Sequence, residues 1–72
     1  MIQNRLRAWR HKLSFTQQEL TQAAGVSIAT VVLIEKYNHL PGEDVRARIA
    51  AALGVSEGAI WPTQEGSDAK PE

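Results

Sequence analysis

The sequence predicts an all-α fold: five short helices packed as one domain. Three observations carry this expectation. Apolar residues recur at helical spacing along most of the chain. A start signal of the Ser/Thr cap type, preceded by an apolar residue, occurs three times, at Thr16, Ser27 and Ser56. No run of alternating apolar and polar residues and no hairpin dipeptide is found.

Helix 1 is expected over about residues 2–12, where Ile2, Leu6, Trp9 and Leu13 share one face and the basic residues occupy the other. Helix 2 is expected from Gln17 to Ala24. Thr16 and Glu19 make the T-x-x-E capping box, Phe15 and Leu20 stand at staple spacing, and Gly25 suits a left-handed end. Helix 3 follows from Ile28 to about Tyr37, with Ser27 as its N-cap and Val26 and Val31 as its staple. Only Gly25, Val26 and Ser27 separate the two helices, and so short a connection forces a sharp turn. Pro41 and Gly42 mark a loop. Glu43 and Asp44 then suit the first turn of helix 4, whose buried stripe is Val45, Ile49 and Leu53. Gly54 ends it. Val55, Ser56 and Ile60 open a short helix 5 that Pro62 stops after Trp61. Residues 1–62 are read as the folded domain and residues 63–72 as a disordered polar tail.

Composition narrows the function classes. The 72 residues suffice for one core and no second domain. There is no cysteine, which excludes disulfides and thiolate metal sites, and His11 and His39 stand far apart, so no metal or other cofactor is expected. No Gly-rich phosphate loop, carboxylate pair or Ser/His/Asp arrangement suggests catalysis, and a domain this small has little room for a substrate pocket. Net charge is zero, which argues against a generic basic coat. Its distribution is uneven, however. Without residues 63–72 the chain keeps seven basic and five acidic groups, a net of +2, and Arg5, Arg7, Arg10 and Lys12 face no acid among the first twelve residues. The most apolar stretch, Val26 to Ile34, is too short to span a bilayer, and no signal peptide is visible, so a cytoplasmic protein with no membrane partner is expected.

Thr16-Gln17-Gln18-Glu19-Leu20, Gly25-Val26-Ser27, Ile34-Glu35-Lys36 and Ala52-Leu53-Gly54-Val55-Ser56 occur in an order and spacing that resembles the Xre family of helix-turn-helix regulators, the lambda-repressor-like DNA-binding domains. The resemblance covers about residues 2–61. It implies a compact five-helix lambda-repressor-like domain in which helices 2 and 3 form the helix-turn-helix. Helix 2 would cross the backbone of double-stranded DNA and helix 3 would enter the major groove. It further implies a homodimer on a two-fold symmetric operator, commonly a repressor.

Carried onto this chain, the resemblance makes Gln17 a phosphate contact at the start of helix 2, against the alternative of an exposed helix former. It makes Arg10 the structural partner of Glu35, clamping helix 1 to helix 3, rather than a DNA contact. The groove-facing set is Ser27, Ile28, Ala29, Val32 and Leu33, with Lys36 and Asn38 near the DNA backbone. For Asn38 and His39 a solvated loop side chain is the competing reading, and for Lys36 a helix-dipole role. Trp9 is assigned to the core. Trp61 either closes the core beneath helix 5 or faces a second subunit.

Helix 3 departs from the family pattern. Successive residues about 100° apart place Val31 and Ile34 inward and Ile28, Ala29, Val32, Leu33 and Lys36 outward. Four of these five outward residues are apolar, where family members usually carry Gln, Arg, Asn, Ser or Lys. Three explanations remain open. The helix reads thymine methyl groups. Ile28, Val32 and Leu33 dock a protein partner, as in an antiactivator. Or a larger assembly buries the helix.

Overall fold

Three of the five helices begin where a Ser or Thr cap stands. The computed structural model of the chain describes residues 4–62. It orders them as α1 Leu6–Lys12, α2 Gln17–Ala24, α3 Ile28–Tyr37, α4 Glu43–Leu53 and α5 Glu57–Ile60, with no strand among the described residues. The expected tail at residues 63–72 lies outside the described residues, as do the first residues of the expected helix 1. Thr16 Oγ1 accepts from the Glu19 amide at 3.0 Å and Glu19 Oε1 accepts from the Thr16 amide at 2.9 Å, closing the capping box. Ser27 Oγ and Ser56 Oγ accept from the amides of Thr30 and Ala59 in the same way. Helix ends are equally explicit. Gly25 and Gly54 both hold φ +71, and Asn38 takes the same left-handed role after α3 at φ +55. A side chain at Gly25 would also meet Arg48 Nη1 at 3.2 Å, so the turn between α2 and α3 packs directly on α4.

Helix 1 differs from expectation. It starts at Leu6, and Asn4 and Arg5 are not helical. Asn4 explains the difference. Its Oδ1 accepts from the Leu6 amide at 3.1 Å, while its Nδ2 donates to the Ile34 carbonyl at 2.8 Å and to Asn38 Oδ1 at 3.0 Å. The Asn4 amide also donates to Asn38 Oδ1, and the Arg5 amide to the Ile60 carbonyl. These bonds commit the chain before Leu6 to α3 and α5 instead of to a helical turn. Leu13 also leaves the expected stripe and is 42% exposed. It is the C-cap of α1, and Ser14, at φ +62, swings the chain away before its side chain can reach the core.

Leu6, Leu20, Val31, Ile34, Ile49 and Ile60 are fully buried, so every helix places at least one large side chain in a single core. Within it α2 packs on α3 and α4, α1 on α3, and α4 on α5. Trp61 belongs to this core, while Trp9 is half-buried at its edge, its indole N–H donating to the Ala59 carbonyl at 3.0 Å. On α4, Arg46 donates to the Pro41 carbonyl and pairs with Glu57, and Arg48 pairs with Asp44. Both cations are thus held within the domain. No helix among the described residues is long and apolar enough to cross a membrane.

Candidate nucleic-acid interface

One face of the domain is built by the start of α2, the outer ridge of α3 and the side of α1 that carries Arg7 and Arg10. Helix geometry leaves the amides of Gln17 and Gln18 at the start of α2 with no intrahelical acceptor. A shallow concavity beside them is bordered by Arg7, His11, Ser14, Thr16, Gln17 and Ile28. A second depression, between α1, α2 and α3, is lined by Arg7, Gln17, Val32, Glu35 and Lys36.

The two depressions share Arg7, Arg10 and Gln17, and the second is also lined by Glu35, the partner of Arg10. Arg10 Nε donates to Glu35 Oε2 at 2.7 Å and Nη2 to Oε1 at 3.0 Å, a two-point contact with side chains only 9% and 5% exposed. Arg10 Nη1 also donates to the Phe15 carbonyl at 2.9 Å. One guanidinium therefore holds α3 and the α1–α2 turn together, which fixes where α2 begins. Burial pushes the Glu35 carboxyl up. Hydrogen bonds from Arg10 and Gln17, with the charges of Arg10 and Arg7, more than offset this and leave it below its ordinary value. Glu35 is thus a carboxylate at neutral pH.

Gln17 reaches inward. Its Nε2 donates to Glu35 Oε1 at 3.2 Å and the residue is half-buried. In this position its side chain braces α2 against α3, and the open donors at the start of α2 are backbone amides. The other nominated residues lie on α3 and its end. Ser27 and Ala29 are exposed, Ile28 is 48% and Leu33 43% exposed, and Val32 is half-buried above the Arg10–Glu35 pair. Ser27 Oγ and Thr30 Oγ1 hydrogen-bond each other at 2.9 Å. Lys36 is exposed, with its ammonium 5.6 Å from the centre of the Tyr37 ring. Asn38 is half-buried and accepts from Asn4, so its amide serves the fold at the end of α3.

Sequence reading misses three of these features. The Asn4 clasp, the Arg10 bond to Phe15 and the Gln17 bond to Glu35 join groups with no shared local pattern, and nothing short of the folded structure brings them together. Tyr37 and Leu40, 64% and 58% exposed, extend the apolar surface beyond the nominated ridge. The four-residue spacing of Tyr37 from Leu33 on one helix is the signal that points to Tyr37; Leu40, past the left-handed Asn38, has no such signal.

No family model matches the chain. A protein of Methanothermobacter thermautotrophicus named an uncharacterized HTH-type transcriptional regulator is 39% identical to it over 49 residues, which cover 68% of this chain and 71% of that protein. With that likeness across two thirds of both sequences, and with α2 and α3 in contact across a three-residue turn, the chain belongs to the helix-turn-helix-type transcriptional regulators.

Proposed function

We propose that the chain is a cytoplasmic, Xre-like repressor that binds double-stranded DNA as a homodimer, with α3 in the major groove of a two-fold symmetric operator. One observation carries the reading: the first turns of α3 stand exposed at Ile28, Ala29 and Leu33, beside the open amides at the start of α2. A helix presented this way has the shape of a major-groove reader, and the neighbouring amides suit a phosphate. Backbone contacts fall to those amides, to Lys36 and to Arg7. Gln17 and Asn38 act by holding α2, α3 and the chain's start in register. The regulatory name of the relative supports the assignment.

Fluorescence anisotropy with a labelled duplex pool, over a range of salt, tests it. Each phosphate neutralised contributes about −0.9 to the slope of log affinity against log salt, so Lys36→Ala is expected to flatten the slope by about 0.9 per subunit. Ala29→Asp places a carboxylate where the groove floor would lie and abolishes binding without unfolding an exposed helical position. Parental affinity in Ala29→Asp refutes insertion of α3. Sedimentation at micromolar concentration reports the homodimer as twice 7.9 kDa.

The exposure of Ile28 and Leu33 also favours a second reading, in which this ridge docks a protein. That reading predicts no duplex binding at any salt, and loss of partner binding in Val32→Asp but not in Lys36→Ala.

A further inference from the structure

We infer that α3 reads the C5-methyl groups of pyrimidines, selecting operators by thymine placement and accepting 5-methylcytosine at the same positions. This rests on the DNA-binding reading above and adds the chemistry that α3 recognises. Ile28, Ala29, Val32 and Leu33 fall within an arc of roughly 140° on α3 and rise about 7.5 Å along it, close to two base-pair steps. None of the four has a polar side-chain atom. Of the polar side chains bordering the ridge, Ser27 and Thr30 bond each other and Gln17 bonds Glu35, while the exposed Lys36 at the far end of the ridge serves the DNA backbone in the reading above. What this arc presents is a surface of methyl and methylene groups, led by Ile28 and Leu33 at 48% and 43% exposed, with Ala29 exposed and Val32 half-buried between them.

Such a surface discriminates by what it buries. Against a thymine it covers the C5-methyl, the one apolar group on the major-groove edges of the bases. Against an unmethylated G·C pair it covers the guanine O6 and N7 acceptors and the cytosine N4 donor, offers no partner, and strips them of water. The preference thus has an attractive part, the methyl contact, and a repulsive part, the unpaired polar edge. A 5-methylcytosine carries the same methyl on the same ring carbon, so it satisfies the attractive part on a G·C pair.

The test starts from a randomised duplex library enriched on the wild-type chain. The best sequence is resynthesised with deoxyuridine in place of each thymine, then with cytosine or 5-methylcytosine there. Burying one methyl-sized group is worth about 0.8 kcal/mol, or about fourfold in Kd. Uracil at a read position is therefore expected to weaken binding about fourfold, and at two positions about fifteenfold, with the salt slope unchanged because phosphate contacts are untouched. 5-Methylcytosine is expected to bind more tightly than cytosine by a similar factor. Leu33→Gln, an exposed substitution, keeps the fold and loses methyl dependence at its own position while retaining it elsewhere. Equal affinity for thymine and uracil duplexes overturns the inference and leaves the DNA-binding reading standing. Failure of the folded chain to enrich any duplex, even at low salt, overturns both.

Discussion

Glu35→Gln is expected to lower the melting temperature by roughly 12–24 °C, the equivalent of about 3 kcal/mol in a domain of this size. The substitution is nearly isosteric, so the loss does not come from packing. It comes from Arg10, whose guanidinium keeps its charge, is only 9% exposed along the side chain, and loses the carboxylate that met two of its nitrogens. A single core in so short a chain supplies only about 3–5 kcal/mol, so the variant sits near its unfolding threshold at room temperature. A thermal melt followed by circular dichroism reads the shift. Replacing both partners with apolar residues, Arg10→Met with Glu35→Leu, is expected to recover much of it, because no unpaired charge remains. An unshifted Glu35→Gln melt would show that the pair contributes nothing to stability.

The same pair sets an acid limit. The Glu35 carboxyl lies below its ordinary value of 4.5 in the folded chain, so the unfolded chain takes up the proton first. Its contribution is complete above about pH 4.5 and drains away as the pH falls through the folded-state value. Melts at about pH 6 and about pH 3 are expected to differ more in the parent than in Glu35→Gln, which has no proton to take up at this site. A difference of equal size in both chains would place the acid sensitivity on other carboxylates.

The parts of this molecule that can be read from its sequence are those written in local grammar. Thr16 with Glu19, Ser27 with Thr30, and Ser56 with Ala59 are contacts three residues apart, and they mark the starts of α2, α3 and α5 to the residue. The inward face of α3 follows equally from the spacing of Val31 and Ile34. What local grammar misses is carried by contacts between distant segments. Asn4 is a poor sign of a helix boundary until Asn38 and Ile34 are beside it, 34 and 30 residues away. Gln17 has the position of a phosphate ligand at the start of α2, yet its amide is turned to a carboxylate 18 residues further on. The Arg10–Glu35 contact is reached in the sequence through family resemblance, since no periodicity joins residues 25 apart. The outward ridge of α3 is legible as apolar, but whether such residues are exposed depends on what else packs there. The fold leaves Ile28 and Leu33 about half open, and that exposure makes a functional reading necessary.

Two adjacent residues of α3 separate stability from recognition. Ile34→Ala is expected to destabilise by about 2–5 kcal/mol, comparable with the whole stability of the domain. Ile34 is fully buried among the large side chains of the core, and its carbonyl accepts from Asn4 Nδ2, so a cavity there loosens both α3 and the clasp that starts α1. Leu33→Ala removes a side chain that is 43% exposed and is expected to change stability by no more than about 0.5 kcal/mol. Under the proposed function the ranking reverses for duplex affinity measured on folded protein. Leu33→Ala weakens binding, because it removes part of the surface offered to the groove. Any residual folded Ile34→Ala binds as the parent does, because its outward ridge is intact. Denaturant titration gives the first comparison, and anisotropy corrected for the folded fraction gives the second. A Leu33→Ala chain that binds like the parent would remove Leu33 from the interface. An Ile34→Ala chain that melts like the parent would mean that α3 is held by its ion pair and caps alone, which a side chain sealed from solvent on every side argues against.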